Sequence, residues 1–129
     1  MNRHIEKYFD DLEAFNGYLV VADDLMDWLD EEPAPYILDI REAKDFHGGH
    51  IPGSEHVEWL DVRRLIQDHL LPKDRHIVVV CYIGVSSAEI AVILRMSGYD
   101  AFSLQDGIHG TWSHKHYPLV ESLTSEENK

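Results

Sequence analysis

The segment that most constrains the fold of this 129-residue chain is an uncharged, apolar run at residues 77–82. From Ile77 to Val80 every residue is β-branched, which is typical of a central parallel strand covered on both faces. The run reaches the only cysteine of the chain, Cys81, and continues through Gly84 into a helical pattern that ends at Gly98. A strand of this kind requires helices on both faces of its sheet.

Shorter apolar runs alternate with helical patterns along the rest of the chain. Strands are predicted at residues 18–22, 36–40 and 101–104. Helices are predicted over residues 3–15, over the segment that follows Asp23 as N-cap, and over residues 61–71. Residues 41–46 are polar, the glycines and proline at 48–53 mark a loop, and Asp106 with Gly107 marks a turn. This alternation predicts a single α/β domain with a central, mainly parallel sheet.

The net charge of the chain limits the classes of partner that it can bind. Twenty-four acidic residues against eleven lysines and arginines give a net charge of −13, which argues against nucleic acid and anionic membranes. The longest stretch without Asp, Glu, Lys, Arg or His has twelve residues, from Ile77 to Ala88, whereas a membrane span needs about 20. Charged residues are also spread through the first thirteen positions, where a signal peptide would need an apolar core. We therefore expect a cytoplasmic protein.

The loop that follows Cys81 is the strongest candidate for a site, because ligands of parallel sheets bind at the carboxyl ends of strands. The sequence Ser86-Ser87-Ala88-Glu89 has the form of a capping box, which predicts Ser86 as the N-cap of the next helix. Amides of such a loop point inward, so a thiol held above them should ionise more readily than a free cysteine. The alternative is that Cys81 is an inert, buried residue in an ordinary strand-to-helix turn.

Several motifs together resemble the single-domain rhodaneses, over about residues 18–120. These are D-I-R-E at 39–42, G-H-I-P-G-S at 49–54, the loop that starts at Cys81, G-Y-D at 98–100, D-G-I at 106–108, and Trp112. The resemblance implies the rhodanese-like three-layer fold and a sulfurtransferase activity. Cys81 would attack a sulfane sulfur donor, hold the sulfur as a persulfide and pass it to a thiol, cyanide or a protein sulfur carrier, without a metal or organic cofactor. Such double displacement predicts ping-pong kinetics.

The composition of the loop bears on the substrate. In this family a six-residue loop resembles that of the sulfur-transfer members, whereas related phosphatases have a longer loop that ends in arginine. The loop here lacks arginine, which makes phosphatase chemistry improbable. Many active rhodaneses carry a basic residue in the loop, so its absence favours polysulfides and persulfides over thiosulfate. The residues expected to contact the substrate are Tyr82, Ile83, Gly84, Val85, Ser86 and Ser87.

Other residues are assigned supporting or structural parts. Asp39 and Arg41 lie just past a strand end, where they either shape the site or brace the fold. The histidines near the end of the chain predict no metal site, because no cysteine or carboxylate completes a ligand set with them. His50 is expected to orient backbone rather than transfer protons.

The domain organisation predicted from these patterns has three parts. Residues 1–17 form an amphipathic helical extension, residues 18–120 the rhodanese-like domain, and residues 121–129 a polar tail. The extension is expected to pack its apolar stripe on its own domain, although docking to a partner is the alternative. A second hypothesis for the whole chain is a rhodanese-like binding or sensing module with weak catalysis. The oligomeric state stays open.

Overall fold

A computed structural model describes residues 1–14 and 16–122 of the chain. Within them, a five-stranded sheet has the order β1-β5-β4-β2-β3, and each strand runs parallel to its neighbours. The strands are β1 (Leu19–Val20), β2 (Tyr36–Asp39), β3 (Glu55–His56), β4 (Ile77–Val80) and β5 (Ala101–Leu104). The helices are α1 (Arg3–Ala14), α2 (Ala22–Trp28), α3 (Ala43–Gly48), α4 (Val62–Gln67) and α5 (Val85–Met96).

Strand β4 lies at the centre of the sheet and is buried along its whole length, as its β-branched run predicts. Val78 and Val80 pack into one apolar cluster with α2 and with a π-helical segment, Ile108–Trp112. Ile77 and Val79 pack into a second cluster with α4 and α5. Helices therefore cover both faces, and the predicted three-layer α/β fold with a parallel sheet is confirmed.

The start of α2 differs from the prediction. The helix begins at Ala22 and its cap residue is Val21, in extended conformation and without a side-chain cap, so the prediction of Asp23 as N-cap was wrong. Asp23 lies in the first turn, where its carboxylate accepts hydrogen bonds from Lys115 Nζ at 2.7 Å and from the Tyr117 hydroxyl. The acidic side chain thus joins α2 to the segment after the π-helical turn instead of capping the helix.

Two short elements were not predicted. Helix α3 occupies much of the polar segment after β2 and buries only Phe46. Strand β3 has two residues, which is too short for an alternating pattern to show in a sequence. The predicted helix over 61–71 is also shorter: a 3₁₀ turn, Trp59–Asp61, leads into α4, which ends at Gln67.

Helix α1 attaches to the domain through charged side chains. Asp11 of α1 pairs with buried Arg95 at 2.8 Å, and Lys7 pairs with Asp100 at 2.9 Å. The apolar stripe packs on the domain only in part: the Tyr8 ring lies 6.0 Å from that of Tyr18, whereas Ile5, Phe9 and Leu12 stay about half exposed. The expectation that the stripe packs on its own domain therefore holds for part of it.

Asp100 also accepts a hydrogen bond from His76, and this contact connects the residue before β4 with the residue before β5. The hydrogen bond to Asp100 raises the pKa of His76, against the opposing effect of burial. Burial raises the pKa of Asp100, but hydrogen bonds from His76 and Lys7 outweigh it and lower that pKa to about 2. Relative to the unfolded chain, the fold therefore favours the charged form of both partners.

The boundaries predicted for the extension, the domain and the tail stay a prediction. Residue 15 of the predicted first helix and residues 123–129 of the predicted tail lie outside the described residues. No helix among the described residues is long and apolar enough to cross a membrane.

Candidate active site

Cys81 directly follows β4 at the carboxyl edge of the sheet, and the loop after it leads into α5 at Val85. The residue is only 3% exposed and belongs to the second apolar cluster, which also contains Leu38, Val62 and Ile90. This burial agrees with the alternative of a small core residue at the end of a strand. The contacts of the sulfur atom, however, are polar.

Two backbone amides point at the Cys81 sulfur. The Gly84 N–H donates to Sγ at 3.2 Å and the Ser87 N–H at 3.3 Å, while the thiol donates to Ser87 Oγ at 3.2 Å. Both amides lie at the N-terminal end of the twelve-residue helix α5, where the helix dipole is positive. The loop from Cys81 to Ser86 carries no charged side chain, so these amides supply its positive potential. The arrangement favours a negatively charged sulfur.

The predicted capping box is absent, and the prediction of Ser86 as N-cap was wrong. Gly84 is the cap residue, with φ of 96°, and Ser86 lies one residue inside the helix. No side chain of the cap residue bonds the first turn, and Glu89 lies one turn into the helix, without a bond to the cap amide. The Cys81 sulfur instead accepts the hydrogen bond from the third helical amide, which a serine oxygen would usually accept.

The turn after β5 is joined to the cysteine loop by backbone hydrogen bonds. The Ile108 N–H donates to the Cys81 carbonyl at 3.0 Å, and the His109 N–H donates to the Tyr82 carbonyl at 2.9 Å. A Cβ added to Gly107 would lie 2.5 Å from the Tyr82 oxygen and 2.6 Å from the Cys81 oxygen, so only glycine fits there. These bonds fix the backbone of the loop through its carbonyls, and the Gly84 and Ser87 amides donate to the sulfur. The sequence had indicated only a turn at this position.

Tyr82 fastens the loop to α3. Its hydroxyl donates to Asp45 Oδ2 at 2.6 Å and accepts from the Glu42 N–H at 3.2 Å. Burial, and then the hydrogen bond to Asp45, raise the pKa of the Tyr82 hydroxyl. The ring packs against His109 with centroids 5.4 Å apart, and the Arg41 guanidinium carbon lies 5.9 Å from its centroid. Tyr82 therefore holds the cysteine loop against α3. Its contact with a substrate stays a prediction.

Ile83 and Val85 are the exposed side chains of the loop, at 65% and 60%. They make an apolar surface beside the buried sulfur. Gly84 needs its positive φ and its lack of a side chain, since an added Cβ would lie 3.1 Å from the Asp106 amide nitrogen. Contact of these loop residues with a substrate stays a prediction.

Asp39 and Arg41 form a buried ion pair, with Nη2 and Oδ2 2.9 Å apart. Arg41 Nη2 also donates to the Gly49 carbonyl at 2.7 Å, so the pair joins the end of β2 to the loop that contains the G-H-I-P-G motif. His50 of that motif has its Nδ1 2.8 Å from the Phe46 carbonyl, a contact that orients backbone. These contacts favour the bracing alternative for Asp39 and Arg41.

Two buried serines extend the hydrogen bonds of the sulfur into the sheet. Ser87 Oγ, which contacts Cys81 Sγ, is 2.7 Å from Ser103 Oγ on β5, and both serines are fully buried. No sequence pattern singles out Ser103, because it comes close to the cysteine loop through the pairing of β4 with β5. Among residues 1–14 and 16–122, no three His, Cys, Asp or Glu side chains come together as a metal site.

Comparisons with known proteins agree with this geometry. The model of the rhodanese-like domain family matches residues 21–114, so the chain belongs to the rhodanese-like family. The thiosulfate sulfurtransferase GlpE of Pseudoalteromonas translucida is 31% identical over 96 residues, covering 74% of this chain and 89% of that one. The crystal structure of a rhodanese-related protein from Thermoplasma volcanium covers 80% of this chain and 97% of its own, with a TM-score of 0.71 and 26% identity.

A longer relative contains a similar unit as one part. The probable adenylyltransferase/sulfurtransferase MoeZ of Mycobacterium tuberculosis is 31% identical over 100 residues, which cover 77% of this chain. The match spans 26% of MoeZ.

Proposed function

We propose that this protein is a sulfurtransferase that carries sulfane sulfur on Cys81. The family and the names of its relatives support sulfur transfer in the broad sense. The observation that carries the proposal is the pair of amides, from Gly84 and Ser87, directed at the Cys81 sulfur. Charge-assisted hydrogen bonds to a thiolate are stronger than those to a neutral thiol, so the site favours the nucleophilic form.

The proposed reaction has two displacements. The Cys81 thiolate attacks the outer sulfur of the donor, the sulfur–sulfur bond of the donor breaks, and the donor leaves as a thiolate or, from thiosulfate, as sulfite. The acceptor, a thiolate or cyanide, then attacks the outer sulfur of the Cys81 persulfide, and the Cys81 thiolate leaves. Because the chain has one cysteine, no internal disulfide can release the sulfur, and an external acceptor has to take it.

The surroundings of Cys81 favour donors of low charge. The loop has no cation, Glu89 lies one turn into α5, and the chain carries −13, so a small dianion such as thiosulfate gains little attraction. Exposed Ile83 and Val85 suit an apolar or protein-borne persulfide. We therefore propose polysulfide, glutathione persulfide or a protein persulfide as donor, a small thiol or a protein sulfur carrier as acceptor, and the reducing cytoplasm as location.

The test is mass spectrometry of the intact protein after incubation with thiosulfate, polysulfide or glutathione persulfide. Wild type should gain the mass of one sulfur atom on Cys81, and cyanide should remove it. Cys81→Ser is the matched control, because its oxygen still accepts from the Gly84 and Ser87 amides but forms no persulfide. Absence of the adduct with every donor, or equal turnover by the variant, would exclude the proposal.

Two observations favour the second candidate, a binding or sensing module. Cys81 is only 3% exposed and the loop holds no cation that would draw an anionic donor to it. The same donor series separates the two functions: a module would leave Cys81 unmodified and still fold. Alkylation of Cys81 measured against pH adds a second criterion, because a thiol that reacts like free cysteine would favour the module.

A further inference from the structure

We infer that Ser103 is a positioning residue that sets the direction of the Ser87 hydroxyl and thereby the readiness of Cys81 to ionise. The inference rests on the proposed use of Cys81 as a nucleophile, but it concerns a residue 22 positions further along the chain. Ser103 contacts Ser87 and not the sulfur, so it acts through its neighbour.

The position of Ser103 follows from the sheet. It lies in β5, paired with Val79 of β4 on one side and with Leu19 of β1 on the other. Its backbone N–H donates to the Tyr18 carbonyl at 2.7 Å, so the backbone is fixed. The side chain is fully buried, and its hydroxyl is 2.7 Å from Ser87 Oγ, a normal hydroxyl–hydroxyl hydrogen bond.

The three polar atoms form one chain: Cys81 Sγ, Ser87 Oγ and Ser103 Oγ. While the thiol keeps its proton, it donates to Ser87 Oγ, and either serine hydroxyl can be the donor in the bond between Ser87 and Ser103. When the thiol loses its proton to solvent, the sulfur becomes an acceptor, and the Ser87 hydroxyl turns to donate to it. Ser87 Oγ then needs a new donor, which the Ser103 hydroxyl supplies.

Without Ser103, both forms of Cys81 lose the hydrogen bond between the two serines. In the thiolate form that bond belongs to a chain that ends on a charged sulfur, where hydrogen bonds are stronger and polarise one another. Its loss therefore costs the thiolate form more, and the balance moves toward the protonated thiol. We expect Ser103→Ala to raise the pH midpoint of Cys81 alkylation by about half to one unit, which corresponds to about a three- to tenfold slower reaction at neutral pH. Ser103→Cys, which keeps a weak donor of similar size, should give a smaller shift.

The experiment is the rate of iodoacetamide alkylation of Cys81 against pH, which needs no sulfur donor and so stands apart from the test of the proposed function. In the Ser103→Cys variant, peptide mass spectrometry separates alkylation of Cys81 from alkylation of the introduced thiol. Ser54→Ala is the control: the Ser54 hydroxyl also makes a 2.7 Å hydrogen bond, to the Ile51 carbonyl outside the site, and its loss should leave the midpoint unchanged.

A double variant distinguishes a positioning part from a merely structural one. If Ser103 acts through Ser87, then Ser103→Ala in a Ser87→Ala background should move the midpoint no further. A lowered melting temperature alone would not produce this pattern. The inference is overturned if Ser103→Ala leaves the midpoint within 0.2 units (about 1.6-fold in rate) of wild type, or if the shifts of the two serine variants simply add.

Discussion

Gly107→Ala should disturb the loop that starts at Cys81, although Gly107 makes no contact with the sulfur. Gly107 has φ of 62° and ψ of −166°, a region that costs other residues about 1–3 kcal/mol. The new methyl group would lie 2.5 Å from the Tyr82 carbonyl oxygen and 2.6 Å from that of Cys81, and backbone has to move to relieve it. Overpacking of this kind costs about 1–3 kcal/mol, so we expect the free energy of unfolding to fall by about 2–6 kcal/mol.

Gly53→Ala is the matched control for this prediction. Gly53 also has a positive φ, 82°, but no atom lies within 4 Å of its added Cβ. The variant should therefore lose only the backbone contribution of about 1–2 kcal/mol. The difference between the two variants isolates the contact with the loop carbonyls.

Urea unfolding followed by tryptophan fluorescence gives the stability of both variants, and alkylation against pH reports on Cys81. Because the Ile108 and His109 amides hold the loop carbonyls, a shift of Gly107 should also move the amides that face the sulfur. We expect slower alkylation at neutral pH in Gly107→Ala and unchanged alkylation in Gly53→Ala. Equal destabilisation of the two variants with normal alkylation in both would refute the reasoning.

Three further predictions concern the loop and the ion pairs. Ile83→Lys places a cation on an exposed position and should raise kcat/KM for thiosulfate about three- to tenfold by steady-state assay, since one charge near a dianion contributes about 1 kcal/mol in water. Tyr82→Phe removes the bond to Asp45 and should lower the free energy of unfolding by about 1 kcal/mol in urea titrations. Asp100→Asn should destabilise most between pH 3.8 and 6.5, where Asp100 and His76 contribute together, as urea unfolding at several pH values can show.

The pH window follows from the direction of each shift. A raised pKa for His76 means that its contribution is complete below 6.5 and is lost as the pH rises through the pKa of the folded state. A pKa of about 2 for Asp100 means that its contribution is complete above 3.8 and is lost as the pH falls toward 2. Asp68→Asn, in an exposed pair with Arg64 at 3.9 Å, is the control that should show no such window.

Controls for the loop variants come from the same positions. Ile83→Gln changes polarity without charge and should leave the thiosulfate rate near that of wild type. Added salt should weaken the gain of Ile83→Lys, because exposed charges are screened. For the tyrosine, Asp45→Asn keeps an oxygen acceptor and should cost less than Tyr82→Phe. A larger loss in Asp45→Asn would show that the charge of Asp45 stabilises the fold more than the Tyr82 bond does.

The central features of the fold were predictable because they depend on local pattern. The β-branched run at 77–80 indicates a strand buried on both faces, and the glycine and helical pattern after it indicate the loop and α5. Helix α3 and strand β3 were missed because they have six and two residues, too few for a periodic signal. The cap at Asp23 was wrong because a distant partner, Lys115, occupies its carboxylate.

The candidate site also has a part that local sequence pattern predicts and a part that depends on strand pairing. Cys81 and its loop are contiguous in sequence, so their place at the end of a strand could be inferred. Gly107 and Ser103 reach the loop only because β5 pairs with β4, and no spacing in the sequence expresses that contact. The wrong position of the cap at Ser86 has a related cause. The sequence supplies a serine at the expected place, but the left-handed turn at Gly84 starts the helix earlier and leaves the sulfur as acceptor.

This substitution of sulfur for a capping oxygen ties the chemistry of Cys81 to the fold. The amides of Gly84 and Ser87 begin α5 and also hold the sulfur, so any step that moved the sulfur away would leave two donors unpaired. Leaving such a donor unpaired costs about 1–3 kcal/mol, which favours a reaction in which the Cys81 sulfur stays in place and only the outer sulfur arrives and leaves. Persulfide exchange meets that condition, because the bond between Cys81 Sγ and the outer sulfur can form and break while Sγ keeps its hydrogen bonds to the two amides.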